Sequence, residues 1–266
     1  MTATDDRWTT GAAYEFYMGR WSRALARAFL SWLHPKPSAH WLEVGCGTGS
    51  LTTAICELGQ PASIVACDPS EPFIEHARSK LSDARASFVQ AGADALPNRA
   101  GGFDAIVSGL VLNFVPEPER ALASMRERTS SGGVIAAYVW DYAGGLEFLQ
   151  CFWEEAAALD PEAAALDESR RFGSWQPSAL QALFRAAGLS AVEASTLQIQ
   201  TDFADFDDFW QPFLGGTGPA PAYVASLDSA QRESLRSRLE RRLAPASDGR
   251  IRLRARASAV RGCSEG

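Results

Sequence analysis

Lysine is almost missing from this sequence. Only Lys36 and Lys80 occur among 25 Lys and Arg residues, so the other 23 are Arg, a bias that GC-rich coding produces without any mechanism. Histidine is scarce as well. His34 and His40 flank the link before the first expected strand and His76 falls on an expected helix, so none is well placed as a catalytic base. The five cysteines (Cys46, Cys56, Cys67, Cys151, Cys263) are odd in number and form no CxxC pair, which fits reduced cytosolic thiols and no metal site. No run approaches the roughly 20 apolar residues that a membrane-spanning helix needs. Met1–Arg7 carries two aspartates and no apolar stretch, and so reads as no signal peptide; a cytoplasmic protein without a membrane partner is expected. A net charge of −7 argues against nucleic acid as the usual partner. The arginines between Arg232 and Arg256 read as solvated faces of a late helix and strand, with a polyanion-binding patch as the alternative.

The 266 residues, 46% of them hydrophobic, suffice for a single globular α/β domain. Tyr14, Tyr17, Trp21, Leu25 and Phe29 recur at near-helical spacing, which predicts one amphipathic helix over residues 12–33, ended by His34-Pro35. From there strands and helices alternate. Strands are expected at Trp41–Val44, Ser63–Cys67, Ala86–Gln90, Asp104–Ser108 and Gly133–Trp140, separated by helices near 50–58, 71–81 and 117–128. That alternation predicts βαβ units and a mostly parallel sheet covered on both faces. Beyond Tyr142 the pattern loosens. A long helical stretch, Leu146–Leu166, breaks near Asp160-Pro161, and a helix at Pro177–Ala187 closes at Gly188. Strands follow at Ala191–Gln200 and Arg250–Val260, on either side of an aromatic, Gly/Pro-rich segment, Phe203–Tyr223. The chain divides into a leading helical segment (1–37), a core (38–141) and C-terminal elaborations (142–266).

The segment Trp41-Leu42-Glu43-Val44-Gly45-Cys46-Gly47-Thr48-Gly49-Ser50 runs from a hydrophobic strand through three alternate glycines into a helix. Glycines at such a turn permit positive φ and let a ligand approach the backbone. Ligands of open α/β sheets lie at the carboxyl ends of strands, so the turn marks a site. Asp68, closing the second strand, supplies a carboxylate that can accept both hydroxyls of a ribose. A dinucleotide fingerprint would want a third glycine where Ser50 stands. Glu43 would repel a pyrophosphate and suits a cationic ligand.

Glu43 to Gly49 followed by Asp68 resembles motif I and the acidic motif of class I S-adenosylmethionine-dependent methyltransferases, in the small-molecule branch that includes the ubiquinone/menaquinone enzymes. Gln90-Ala91-Gly92-Ala93-Asp94-Ala95-Leu96-Pro97, Phe103–Ser108 and Ser131-Gly132-Gly133 resemble later motifs in the family's order. The resemblance implies a Rossmann-like fold with a seven-stranded sheet, an N-terminal helical lid and S-adenosylmethionine as cofactor. It implies that the backbone at Gly45 and Gly47 contacts the methionine part, Asp68 the ribose and Asp94 the adenine amine, with Ala93 and Leu110 lining the pocket and Glu43 beside it. Tyr17 would cover the cofactor and Arg20 pair with its carboxylate.

Methyl transfer from a sulfonium is an in-line displacement that depends chiefly on alignment, so the sequence need not advertise a catalytic side chain. Asn113, after the fourth strand, could orient an acceptor, and Asp141, after the fifth, could take its proton. Trp140 and Tyr142 would contact the substrate, a small organic molecule whose methylated atom (O, N or C) stays open. The protein would act as a monomer or homodimer. A NAD-dependent oxidoreductase and a non-catalytic cofactor-binding relative are the alternatives.

Overall fold

The computed structural model describes residues 11–216, 218–243 and 245–265. Met1–Arg7, read as lacking a signal peptide, lies outside them. Seven strands form one sheet: β1 (His40–Val44), β2 (Ser63–Asp68), β3 (Ala86–Gln90), β4 (Phe103–Gly109), β5 (Thr129–Trp140), β6 (Ser190–Phe203) and β7 (Ile251–Cys263). Their order is β3-β2-β1-β4-β5-β7-β6. The first five strands are parallel, with Leu42 of β1 facing Val65 of β2 and Ile106 of β4, and β7 runs antiparallel to β5. Four of the five β1 residues are buried, as a strand covered on both faces requires. The order reverses direction between β1 and β4. In open α/β sheets that switch point opens the ligand crevice.

The chain falls into two compact units. The first comprises residues 21–140, 175–198 and 257 onward; the second comprises 11–20, 141–174 and 199–256. In the first, Leu42, Val44, Ile106, Ile135, Val139 and Phe184 belong to one buried cluster. In the second, the aromatic residues that crowd the sequence after Tyr142 pack together. Phe152 stacks on Phe213 with centroids 4.6 Å apart, and Phe209 packs against Phe203 and Phe213.

Two expectations are refined. The N-terminal helix is not uniform, for a π-helical turn, Glu15–Gly19, precedes the regular helix Arg20–Leu33. The stretch Phe203–Tyr223 folds into short helices at Phe206–Trp210, Gln211–Leu214 and Pro219–Ser226. The late arginines keep partly solvated side chains, as expected, and several pair with carboxylates. Arg238 and Arg242 bridge to Glu155, Arg252 to Asp248, Arg254 to Glu147 and Arg256 to Asp141. No helix among the described residues is long and apolar enough to cross a membrane.

Candidate cofactor and acceptor sites

The turn after β1 is built on left-handed backbone. Gly45, Gly47 and Gly49 have φ of 76°, 51° and 84°, values that side-chain-bearing residues rarely adopt. Their reasons differ. A Cβ at Gly45 would lie 2.5 Å from the Val111 side chain, so this glycine lets the turn after β1 close on the one after β4. A Cβ at Gly47 would meet nothing within 4 Å. Its bare backbone faces open space, the geometry of a surface that receives a ligand. Gly49 ends the turn and starts the helix Ser50–Leu58.

Asp68 holds this turn. Its Oδ2 accepts from the Gly47 N–H at 2.9 Å and its Oδ1 from the Ser70 N–H at 2.9 Å. A carboxylate has about four lone-pair sites, so both oxygens keep capacity for ligand hydroxyls. Burial raises the Asp68 pKa, while the two backbone N–H bonds work against that rise.

Glu43, expected beside a cationic ligand, is 1% exposed. The Thr52 hydroxyl, from the helix that follows the turn, donates to Glu43 Oε2 at 2.5 Å. Burial pushes the Glu43 carboxyl up to about 8; the Thr52 bond lowers it and the charge of Asp68 raises it further. Glu43 thus ties β1 to that helix beneath the glycine turn.

Ala93 and Asp94 lie in the loop after β3. Ala93 packs against the core, and Asp94 is exposed on a turn closed by Ala95 N–H to Gly92 O at 3.1 Å. Leu110 is left-handed without being glycine (φ 62°), its N–H held by Tyr138 O at 2.7 Å. Such strain persists only where surrounding structure enforces it, and it clusters at binding sites. Asn113 sits on the 3₁₀ turn Leu112–Phe114, where its Nδ2 is buried without a hydrogen-bond partner among the described residues. Trp140 is 4% exposed at the end of β5.

Other candidates belong to the second unit. Arg20, expected to pair with a cofactor carboxylate, donates from Nη1 to both oxygens of Asp208 at 2.9 and 3.0 Å, and its guanidinium lies over the Phe203 ring. It already holds an acidic partner, 188 residues away in sequence. Tyr17, expected as a cover, is buried edge-on to Phe213 at 5.7 Å. Its pKa is raised by burial and then by Glu168 and Tyr142. Asp141, expected to take a proton, bridges to Arg256 at 3.0 Å and accepts from the Ala143 N–H at 3.1 Å, which makes it an anchor of the turn after β5. Tyr142 packs on Phe172 at 5.2 Å. Sequence reasoning missed Glu168, which is 5% exposed and accepts from the Trp153 indole N–H at 2.5 Å. Nothing in its local sequence marks it.

A family model described as a methyltransferase domain matches residues 42–137, the stretch that carries the glycine turn, Asp68 and Asp94. Residues 42–137 are thus similar to a methyltransferase domain. This domain is also where the curated likeness falls. The chain is 37% identical over 97 residues to the ubiquinone/menaquinone biosynthesis C-methyltransferase UbiE of Yersinia enterocolitica, covering 35% of this chain and 39% of that one. The chain therefore spans well under half the length of the curated relatives it matches. Solved structures extend the likeness beyond the methyltransferase domain as fold alone. A Bacillus halodurans protein assigned as a methyltransferase superposes with a TM-score of 0.57 at 13% identity, over 91% of this chain and all of that one. A Haemonchus contortus phosphoethanolamine N-methyltransferase, in complex with phosphomonomethylethanolamine and S-adenosylhomocysteine, gives 0.56 at 14% identity, over 96% of this chain and 57% of that one.

Proposed function

We propose that the chain binds S-adenosylmethionine at the carboxyl ends of β1 and β2 and transfers its methyl group to a small organic acceptor. One observation carries the reading: the half-buried, left-handed backbone of Gly47, clamped by the carboxylate of Asp68 and open where a Cβ would stand. The bare backbone at Gly45 and Gly47 receives the methionine part, Asp68 accepts from the ribose hydroxyls, and Asp94, exposed on its turn, accepts from the adenine amine. Ala93 and Leu110 shape the walls. The fit is chemical as well as steric, since the Asp68 carboxylate keeps acceptor sites for hydroxyl donors and would repel a pyrophosphate.

The bound cofactor supplies an electrophilic methyl on a sulfonium. This chain's own work is to align an acceptor with it and to keep water out. Asn113 suits the first task, for a buried amide donor without a partner costs about 1–3 kcal/mol until a ligand oxygen accepts from it. Which atom is methylated follows from the acceptor. The five free thiols support a reducing, cytoplasmic setting for a monomer or homodimer.

Calorimetric titration tests the reading. S-adenosylmethionine and its demethylated product are expected to bind, with NAD much weaker. NAD binding tighter than both would favour an oxidoreductase instead.

A further inference from the structure

Glu43 stands on β1, two residues before the glycine turn, and is 1% exposed. Its Oε2 accepts from the Thr52 hydroxyl, so it links the strand and the helix on either side of the turn. Its neighbours across the sheet are apolar, Ala66 of β2 and Val107 of β4. The titratable groups that bear on it are Asp68, at the end of β2, and the thiols Cys46, Cys56 and Cys67. All of them are acids, so none steadies a negative charge on Glu43. Arg85, the cation that reaches the Cys56 carbonyl, is held by both oxygens of Asp83.

A carboxyl withdrawn from water, with one hydroxyl and a second carboxyl for company, is stable only with its proton on. A cation entering the turn next to it reverses that balance.

We propose that Glu43 couples cofactor binding to proton release: the sulfonium cofactor, seated on the Gly45 and Gly47 backbone, drives the Glu43 proton into solvent, and the neutral thioether product does so less. The inference rests on the methyl-transfer reading, since it needs the cationic end of the ligand at that turn. Cofactor and product carry the same ammonium and carboxylate, so the sulfonium charge alone separates them. When the methyl leaves, the sulfur keeps the electron pair of the broken C–S bond and becomes neutral. The Glu43 carboxylate then lies beside Asp68 without that cation, and it recovers a proton from solvent as the product departs. Glu43 is thus a specificity-determining residue that reads charge rather than shape.

Calorimetric titration of the full chain at pH 6.5, in two buffers of different ionisation enthalpy, counts the protons released. The α-amino group of either ligand, which titrates at about 7.7–8.0, stays almost wholly protonated there. Wild type is expected to release a substantial fraction of one proton with S-adenosylmethionine and markedly less with its demethylated product. Its preference for S-adenosylmethionine over that product should grow roughly threefold or more between pH 5.5 and pH 7. Glu43→Gln keeps an acceptor for Thr52 and has no proton to give, so both effects should vanish in it. Asp68 and Asp94 stay in place in that variant, and any release of their own would persist there. No release with S-adenosylmethionine, equal release with the two ligands, or the wild-type count retained in folded Glu43→Gln would each overturn the proposal. Should the variant not fold, the two wild-type counts still decide. If neither ligand binds wild type, the methyl-transfer reading itself falls; if both bind without the difference, only the role of Glu43 does.

Discussion

Replacing Glu43 by Gln should flatten the pH dependence of stability above pH 6. Glu43 is 1% exposed, and burial holds its carboxyl at about 8 in the folded protein against 4.5 for the free side chain. Between those values the native state keeps a proton that the unfolded chain gives up. The stabilisation is complete below about pH 4.5 and is lost as pH rises through 8. Linkage then removes about 3 kcal/mol between pH 6 and pH 9. Gln is neutral throughout, and its amide oxygen can still accept from Thr52 Oγ1, which lies 2.5 Å from Glu43 Oε2. The stability difference between wild type and variant should therefore shift by about 3 kcal/mol in favour of Gln across that range. Titrations shared by both proteins, those of Asp68 and Tyr17 included, largely cancel in the difference. Urea unfolding followed by circular dichroism at pH 6, 7.5 and 9, without cofactor, measures it. A difference that stays constant over the three pH values would mean that Glu43 is ionised in the folded protein, and the account of the buried carboxyl would fall.

Asp68→Ala should weaken S-adenosylmethionine binding by about 1–3 kcal/mol, the scale of hydrogen bonds to a charged group, with the far-ultraviolet dichroism kept; unchanged calorimetric affinity would remove Asp68 from the site. Gly47→Ala places a Cβ in open space, so melting should drop only by the strain of a left-handed alanine, about 1–2 kcal/mol, while cofactor affinity falls sharply. Gly45→Ala meets Val111 at 2.5 Å and should impair folding itself, which expression and melting would reveal. Phe152→Ala removes the ring stacked on Phe213 and should cost about 3–5 kcal/mol by chemical denaturation. Asn113→Ala should reduce methyl transfer yet leave S-adenosylmethionine affinity unchanged; a parallel loss of both would place Asn113 in the cofactor site.

The parts of this molecule legible in its sequence are those written over short distances. The five parallel strands fall within a few residues of their expected positions, because a strand buried on both faces needs an unbroken apolar run. The glycine turn and Asp68 are readable for the same reason. Backbone conformation leaves a residue-type signature, and the acidic residue closes the very next strand. Long-range pairing leaves no such mark. Arg20 and Asp208 are 188 residues apart, and neither neighbourhood advertises the other. The π-helical turn at Glu15–Gly19 is hidden for a related reason, since hydrophobic spacing reports which face is buried and not how tightly the turn is wound.

The same distinction separates the glycine turn from the second unit. On the proposed reading, recognition of the cofactor rests on backbone and on one carboxylate at a strand end, and both lie within the single matched stretch 42–137. A cavity in the second unit draws Tyr142 from the turn after β5, Trp153 from the helix Glu147–Leu159 and Glu168 from a later turn. Trp153 and Glu168 are joined by one indole hydrogen bond that no spacing rule anticipates. Residues joined in this way can change without disturbing the glycine turn, so a shared fold does not by itself fix an acceptor.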